Sequence, residues 1–245
     1  TVFNTNLDGG RPTMQPDICA TPDQLWAALE ATGVPFITVP HHPSATSHPC
    51  NLDVVRPAYD RLIEVYSCWG SSEYRGDFPR GVSDRWAANC YRDAMRRGLR
   101  CGVVAGADGH DGHPGNAQSP GVKHHHLFHF CGSGRTAVLA PELTREQVFD
   151  AMYARRCYAT TGPPIVLDVT VNDAVIGSEL QALTAPDRPE VKADIRGTAG
   201  IDHVRVMKND QVMHTLPAHG REDLQLSWVD DDYAPAASAG YWLRV

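Results

Sequence analysis

The spacing of apolar positions changes character along the chain. Through the first two-thirds, helix-like and strand-like stretches alternate. Thr21-Pro-Asp-Gln-Leu-Trp-Ala-Ala-Leu-Glu30 opens with a capping Thr and a Pro at the first helical position, then keeps helical apolar spacing as far as Gly33. Phe36–Pro40 predicts a strand directly after it, and Leu62–Tyr66 predicts a second. Ser83 can cap a helix over Asp84–Arg97 that Gly98 stops. Gly102–Ala107 predicts a third strand, and Thr144–Arg155 another helix. Strand, helix and strand in this order, with polar residues gathered at strand ends, read as part of a parallel α/β barrel.

Thr160-Thr-Gly-Pro-Pro164 marks the boundary. Beyond it Ile165–Val171, Val191–Ile195, His203–Met207, Leu224–Val229 and Tyr241–Val245 are short strand candidates, separated by turn signals such as Asn172-Asp173 and Asn209-Asp210. That texture predicts a small antiparallel β-sandwich. The expected division is a barrel portion over 1–162 and an Ig-like sandwich over 163–245.

Composition narrows the function classes. The 245 residues are 42% hydrophobic and 21% charged, ordinary values for a globular protein, and the net charge is -7. An acidic surface repels phosphate on average, so neither nucleic acid nor an anionic membrane is an expected partner. No apolar stretch reaches bilayer length. The seven cysteines form no C-x-x-C pair and leave the compartment open.

The chemistry concentrates where apolar runs end. Asp108-Gly109-His110 closes the run Cys101–Ala107, and His41-His42-Pro43 closes Phe36–Pro40. A carboxylate and an imidazole two residues apart project to one side of an extended segment. Imidazole and carboxylate together suit Zn, Mn or Fe in hydrolases. His124, His125, His126 and His129 lie in a Gly- and Pro-rich loop and read as a surface tract, because three consecutive rings cannot face one ion on ordinary backbone. Arg145, Arg155 and Arg156 read as a solvated helix face.

Five motifs in order carry a family resemblance: Pro40-His41-His42-Pro43; Ile63-Glu64-Val65-Tyr66-Ser67 with Gly70-Ser71-Ser72-Glu73; Ala107-Asp108-Gly109-His110 with Gly112-His113-Pro114-Gly115; Thr136–Glu146; and Arg155–Gly162. The chain resembles the PHP-superfamily metallohydrolases of the carbaryl-hydrolase-like (CehA/McbA, DUF3604) type over about residues 1 to 180. The resemblance implies an α/β fold, part of a distorted (β/α)7 barrel followed by the sandwich. It implies one to three divalent ions in the complete enzyme and a metal-bound hydroxide that hydrolyses a small-molecule phosphoester or a carboxyl or carbamate ester. His42 matches the His-Pro ligand position, with His41 its neighbour; Asp108 and His110 match the D-x-H ligands and the catalytic pair. Asp108 is also placed to orient the nucleophilic water, binding metal through one oxygen and accepting a proton with the other. Glu64, Glu73 and His113 are implied substrate or supporting contacts.

One departure matters. The family's upstream H-x-H motif has no counterpart, since no His precedes His41. The resulting expectation is a fragment or subunit whose missing N-terminal segment or partner chain completes the metal shell. The competing reading is a non-catalytic binding module, with a vestigial barrel and a sandwich that offers Trp228, Tyr233 and Trp242 to a ligand or protein.

Overall fold

A computed structural model describes residues 21–41, 43–44, 50–67, 70–74, 89–108, 134–184, 187–234 and 238–245. Helix α1 (Pro22–Glu30) is capped as the sequence predicts, with Gln24 N–H donating to Thr21 Oγ1 at 3.4 Å, and Trp26 is its buried residue. The segment 36–40, expected as a strand, joins no ladder. Pro35 and Pro40 have no N–H to donate. The backbone of the segment instead makes isolated bonds, Thr38 N–H to Tyr59 C=O and Glu64 N–H to Pro40 C=O.

Strand β1 (Leu62–Ser67) follows, then the two-residue β2 (Gly70–Ser71), α2 (Tyr91–Arg96) and β3 (Gly102–Ala105). The helix expected over 84–97 is shorter in its described part, because Asn89 takes a left-handed φ of +57° and Cys90 becomes the cap. Gly98, at φ +79°, ends it as expected. The first sheet is ordered β2-β1-β3, with β1 and β3 parallel and β1 and β2 antiparallel. Leu52, Ile63 and Ala94 form the small core beneath it, with Val65, Tyr91, Leu99 and Val103 packed around.

Strand β4 (Arg135–Val138), α3 (Arg145–Tyr153) and β5 (Cys157–Thr160) come next. The chain returns through α3 so that β5 pairs antiparallel with β4, with Val138 opposite Cys157. This pairing overturns the barrel expectation. A (β/α) barrel needs each strand to be followed by a helix and to lie parallel to its neighbour. Among the described residues the strands instead form four open sheets, with three short helices and a single parallel pair, β1 with β3. No (β/α)7 barrel is built among the described residues.

The remaining strands are β6 (Val166–Val171), β7 (Ala174–Val175), β8 (Glu190–Arg196), β9 (His203–Lys208), β10 (Gln211–Pro217), β11 (Asp223–Val229) and β12 (Tyr241–Arg244). They make two antiparallel sheets, β11-β8-β6-β7 and β10-β9-β12. Alternate residues of each turn inward: Val191, Ala193 and Ile195 from β8, Val204 and Val206 from β9, Leu224 and Leu226 from β11. These share one apolar core between the sheets, as in a sandwich. No helix among the described residues is long and apolar enough to cross a membrane.

The two parts meet through polar contacts. Arg155, buried and left-handed at φ +61°, donates to Arg100 C=O, Gly177 C=O and Glu179. It is a junction residue and not the solvated face expected of it. Arg96 pairs with Asp210 at 2.6 Å, and Tyr91 packs edge-on against Trp242.

Candidate functional site

Three chemistry-bearing residues from separate segments converge beside β1 and β3. Glu64 lies within β1, His41 follows the segment 36–40, and Asp108 lies just past β3. His41 is placed through its neighbour, because Glu64 N–H donates to Pro40 C=O at 3.1 Å. Its own carbonyl accepts from Cys50 Sγ at 3.1 Å. Asp108 takes a left-handed φ of +48°, a conformation that Asp tolerates better than most residues.

The register of β1 slips by one residue between Glu64 and Tyr66, leaving Val65 as a bulge against β3. Bulges re-aim side chains next to sites, and this one lies directly after Glu64. The ladder resumes with Gly106 N–H donating to Tyr66 C=O. Thr136 Oγ1 then accepts from Ala105 N–H at 2.9 Å and donates to Ala105 C=O at 2.8 Å, closing the edge of β3 with a side chain. Gly134 permits that approach: a Cβ there would fall 2.7 Å from Ala105 Cβ and 2.9 Å from the Tyr66 ring.

His41 Nδ1 lies 2.7 Å from Glu64 Oε2, and Nε2 lies 3.6 Å from Asp108 Oδ1. The first is a hydrogen bond; the second is beyond hydrogen-bond length and is a charge contact. The carboxylates are 14% and 9% exposed, while the ring is 32% exposed. Burial opposes protonation of the imidazole, but Asp108 and Glu64 together outweigh it and push its pKa up to about 10. Burial also drives the nearby Cys50 thiol up to about 11, so it is protonated and a weak nucleophile at neutral pH.

The structure thus brings His41, Glu64 and Asp108 together. Glu73 sits elsewhere, 3.0 Å from Arg92 and 3.5 Å from Arg244, with both guanidinium groups over the Tyr74 ring. His42, His110 and His113 lie outside the described residues, as does the His124–His129 tract. Among the described residues no group of three or more His, Cys, Asp or Glu is arranged to hold a metal ion. Ser44, three residues past His41 and 2% exposed, has a buried Oγ without a hydrogen-bond partner among the described residues. Neither Ser44 nor the scaffold pair Gly134 and Thr136 was expected from the sequence. Their roles rest on close approaches between distant segments, which leave no local signal.

Residues 101–183 match the model of the family described as "Protein of unknown function (DUF3604)". That stretch holds β3, Asp108, His110, β4, α3 and β5; His41 and Glu64 lie upstream of it. The chain is also similar to three uncharacterized proteins of Chlamydia. It is 30% identical to one from Chlamydia pneumoniae over 212 residues, covering 83% of this chain and 33% of the relative. It is 27% identical to one from Chlamydia trachomatis, with 88% and 37% covered, and 26% identical to one from Chlamydia muridarum, with 86% and 34% covered. The chain therefore spans about a third of the length of the curated relatives it matches. No solved structure matches it significantly. What the comparisons establish is a DUF3604-type segment that carries the Asp108 end of the site.

Proposed function

We propose that the chain contributes to a metal-dependent hydrolase of ester bonds, of the carbaryl-hydrolase-like kind, acting on a phosphoester or a carboxyl or carbamate ester. The observation that carries this reading is His41 held between Glu64 and Asp108. A metal-ligating imidazole usually donates its other ring N–H to a carboxylate, which fixes tautomer and orientation. Glu64 on Nδ1 fills that role and leaves Nε2 directed at Asp108. Donors at metal–ligand lengths of about 2.0–2.2 Å and a tetrahedral angle stand roughly 3.4 Å apart, close to the 3.6 Å between Nε2 and Oδ1. The fit is to a pair of ligands, which His42 and His110 would extend to the three or four that a catalytic site uses. A ligating imidazole is neutral, so His41 would have to give up the proton that the two carboxylates favour before Nε2 could hold a metal.

A divalent ion (Zn, Mn or Fe) bound there supplies Lewis-acid polarisation of the scissile group. This chain's residues do the rest. Asp108, nearly buried, keeps Oδ1 toward His41, and a carboxylate that binds metal through one oxygen can accept a proton from an attacking water with the other. Glu64 holds the imidazole ring in register throughout. The aromatic residues on which a binding-module reading depended are engaged in internal contacts: Trp242 Nε1–H donates to Asn209 C=O, Tyr233 Oη accepts from Leu183 N–H, and Trp228 packs on the sandwich core.

The test is metal content per chain in protein prepared without a tag or added metal, for the wild type and for Asp108→Ala/His110→Ala. The expected result is about one or more ions in the wild type and loss in the double variant. Glu64→Gln is expected to weaken metal affinity roughly 10- to 100-fold while Asp108→Ala abolishes turnover of an ester panel. Equal, empty metal content in both proteins would sink the reading.

A further inference from the structure

The sandwich holds a second cluster of reactive groups, far in sequence from His41. Asp230 follows β11 directly, is 0% exposed, and is fixed by its own N–H donating to Pro189 C=O. Lys208 ends β9 in the opposite sheet, and its Nζ lies 2.5 Å from Asp230 Oδ2. Tyr241 is the cross-strand partner of Lys208, and its hydroxyl donates to the same Oδ2. Asp232 N–H donates to the other oxygen, Oδ1, at 3.2 Å. The rings of Tyr233 and Tyr241 wall the ammonium at 5.7 and 6.0 Å.

A lone ion pair needs none of this enclosure, and with Asp230 fully buried its desolvation cost rivals its attraction. We propose that Lys208 and Asp230 form an intramolecular isopeptide bond, an amide joining Lys208 Nζ to Asp230 Cγ across the two sheets. The resting pair is ionic, with Asp230 held below the usual carboxylate range because Lys208 and Tyr241 outweigh its burial. Passing one proton from Nζ to Oδ2 along the existing contact gives a neutral amine and a carboxylic acid. The neutral pair is the minor form, and burial makes it more accessible than it would be in water. The amine lone pair then attacks Cγ, one bond beyond Oδ2, and charge builds on Oδ1, where the Asp232 N–H stabilises it. The Cγ–Oδ2 bond breaks as Oδ2 takes a second proton from the amine nitrogen, relayed through the Tyr241 hydroxyl. One water leaves; nothing is oxidised or reduced, and no co-reactant is consumed. Tyr241 suits the relay because burial and Asp230 both raise its pKa, so the phenol stays protonated.

The test is the intact mass of the full chain under denaturing, reducing conditions, followed by peptide mapping. The expected mass is about 18 Da below that of the sequence, one water, with a branched peptide joining the segments around Lys208 and Asp230. Lys208→Arg, which keeps the charge but not the primary amine, is expected to restore the full mass. A wild type at full mass would overturn the proposal and leave an ion pair. So would a deficit that persists in Lys208→Arg, since dehydration at an Asp-Gly step such as Asp108-Gly109 produces the same loss. Peptide mapping of the wild type locates the lost water even if the variant does not fold, and a map without the branched peptide overturns the proposal on its own.

Discussion

The two halves of this molecule are held together by different physics. The sandwich is organised by apolar burial: seven buried residues from the strands of both sheets, with Ile201 and Ala218 from adjoining loops, share one core. Around β1 and β3 the largest buried cluster among the described residues is the small one of Leu52, Ile63 and Ala94, and polar contacts tie the segments together. Trp26 Nε1–H donates to Thr38 Oγ1, whose hydroxyl donates to the buried Asp60; Glu64 anchors His41, and Thr136 seals β3. A region with a large apolar core tolerates variation in its polar face. A region built on hydrogen bonds places individual side chains closely but loses more when one is misplaced. The candidate site lies in the second kind.

The sharpest way to break this comparison is to delete equivalent side chains. Ile195 and Ile63 are both 1% exposed. Loss of a buried Ile to Ala costs about 2–5 kcal/mol, and more where the neighbours cannot collapse. Ile195→Ala, in the larger cluster between two sheets, is expected near the top of that range at about 4 kcal/mol; Ile63→Ala, in the smaller cluster with Leu52 and Ala94, near about 2 kcal/mol. Denaturant unfolding of both variants checks this, and equal losses would mean the two cores are equally rigid.

Legibility in the sequence follows the same divide. Alternation in Val191–Ile195 and Leu224–Val229 is visible because strict period two leaves one face apolar, and the observed strands lie there. β10 escapes notice because its residues are half-buried or exposed and it ends at Pro217. In the first region apolar runs mislead: 36–40 looks like a strand, yet Pro40 and the preceding Pro35 have no N–H to donate to a ladder. The strands 135–138 and 157–160 went unread, and they pair antiparallel, against the parallel barrel expected. The D-x-H and P-H-H-P motifs were readable as chemistry. That His41 would sit between Glu64 and Asp108 was not, because a bulge at Val65 and a left-handed Asp108 set that meeting.

The junction offers the next largest effect. Gly177 sits at φ +85° against the end of α3, and a Cβ there would come within 2.3 Å of Ala154 C=O and 2.7 Å of the Arg155 backbone. Neither backbone group can swing aside as a side chain could. Gly177→Ala is therefore expected to cost about 3 kcal/mol from strain alone. It should also release Arg155 from Gly177 C=O, so that the two halves melt as separate transitions by calorimetry. A single transition with a small shift would show that the polar junction does not couple them.

The smallest effect tests the polar half directly through pH. Asp60 is 7% exposed; burial raises its pKa above the ordinary 3.8, though Thr38 and the Arg56 N–H pull the other way. A carboxyl whose folded pKa is raised binds more proton when folded than when unfolded. Its contribution to stability is therefore full at low pH and declines as pH rises from near 3.8 to the raised value, with a slope of at most about 1.4 kcal/mol per pH unit. Asp60→Asn keeps an oxygen for one donor and removes the titration, so the variant's stability should lack this decline. Glu179 and Asp210, held down by their arginine partners, impose the opposite slope, but they are common to both proteins and cancel in the difference. Subtracting the two stability curves between about pH 3.5 and 7 isolates Asp60. A flat difference would mean that Asp60 carries its charge in the folded state as easily as in water. The segment leading to His41 would then be held by packing, and the contrast between the halves would shrink to one of core size.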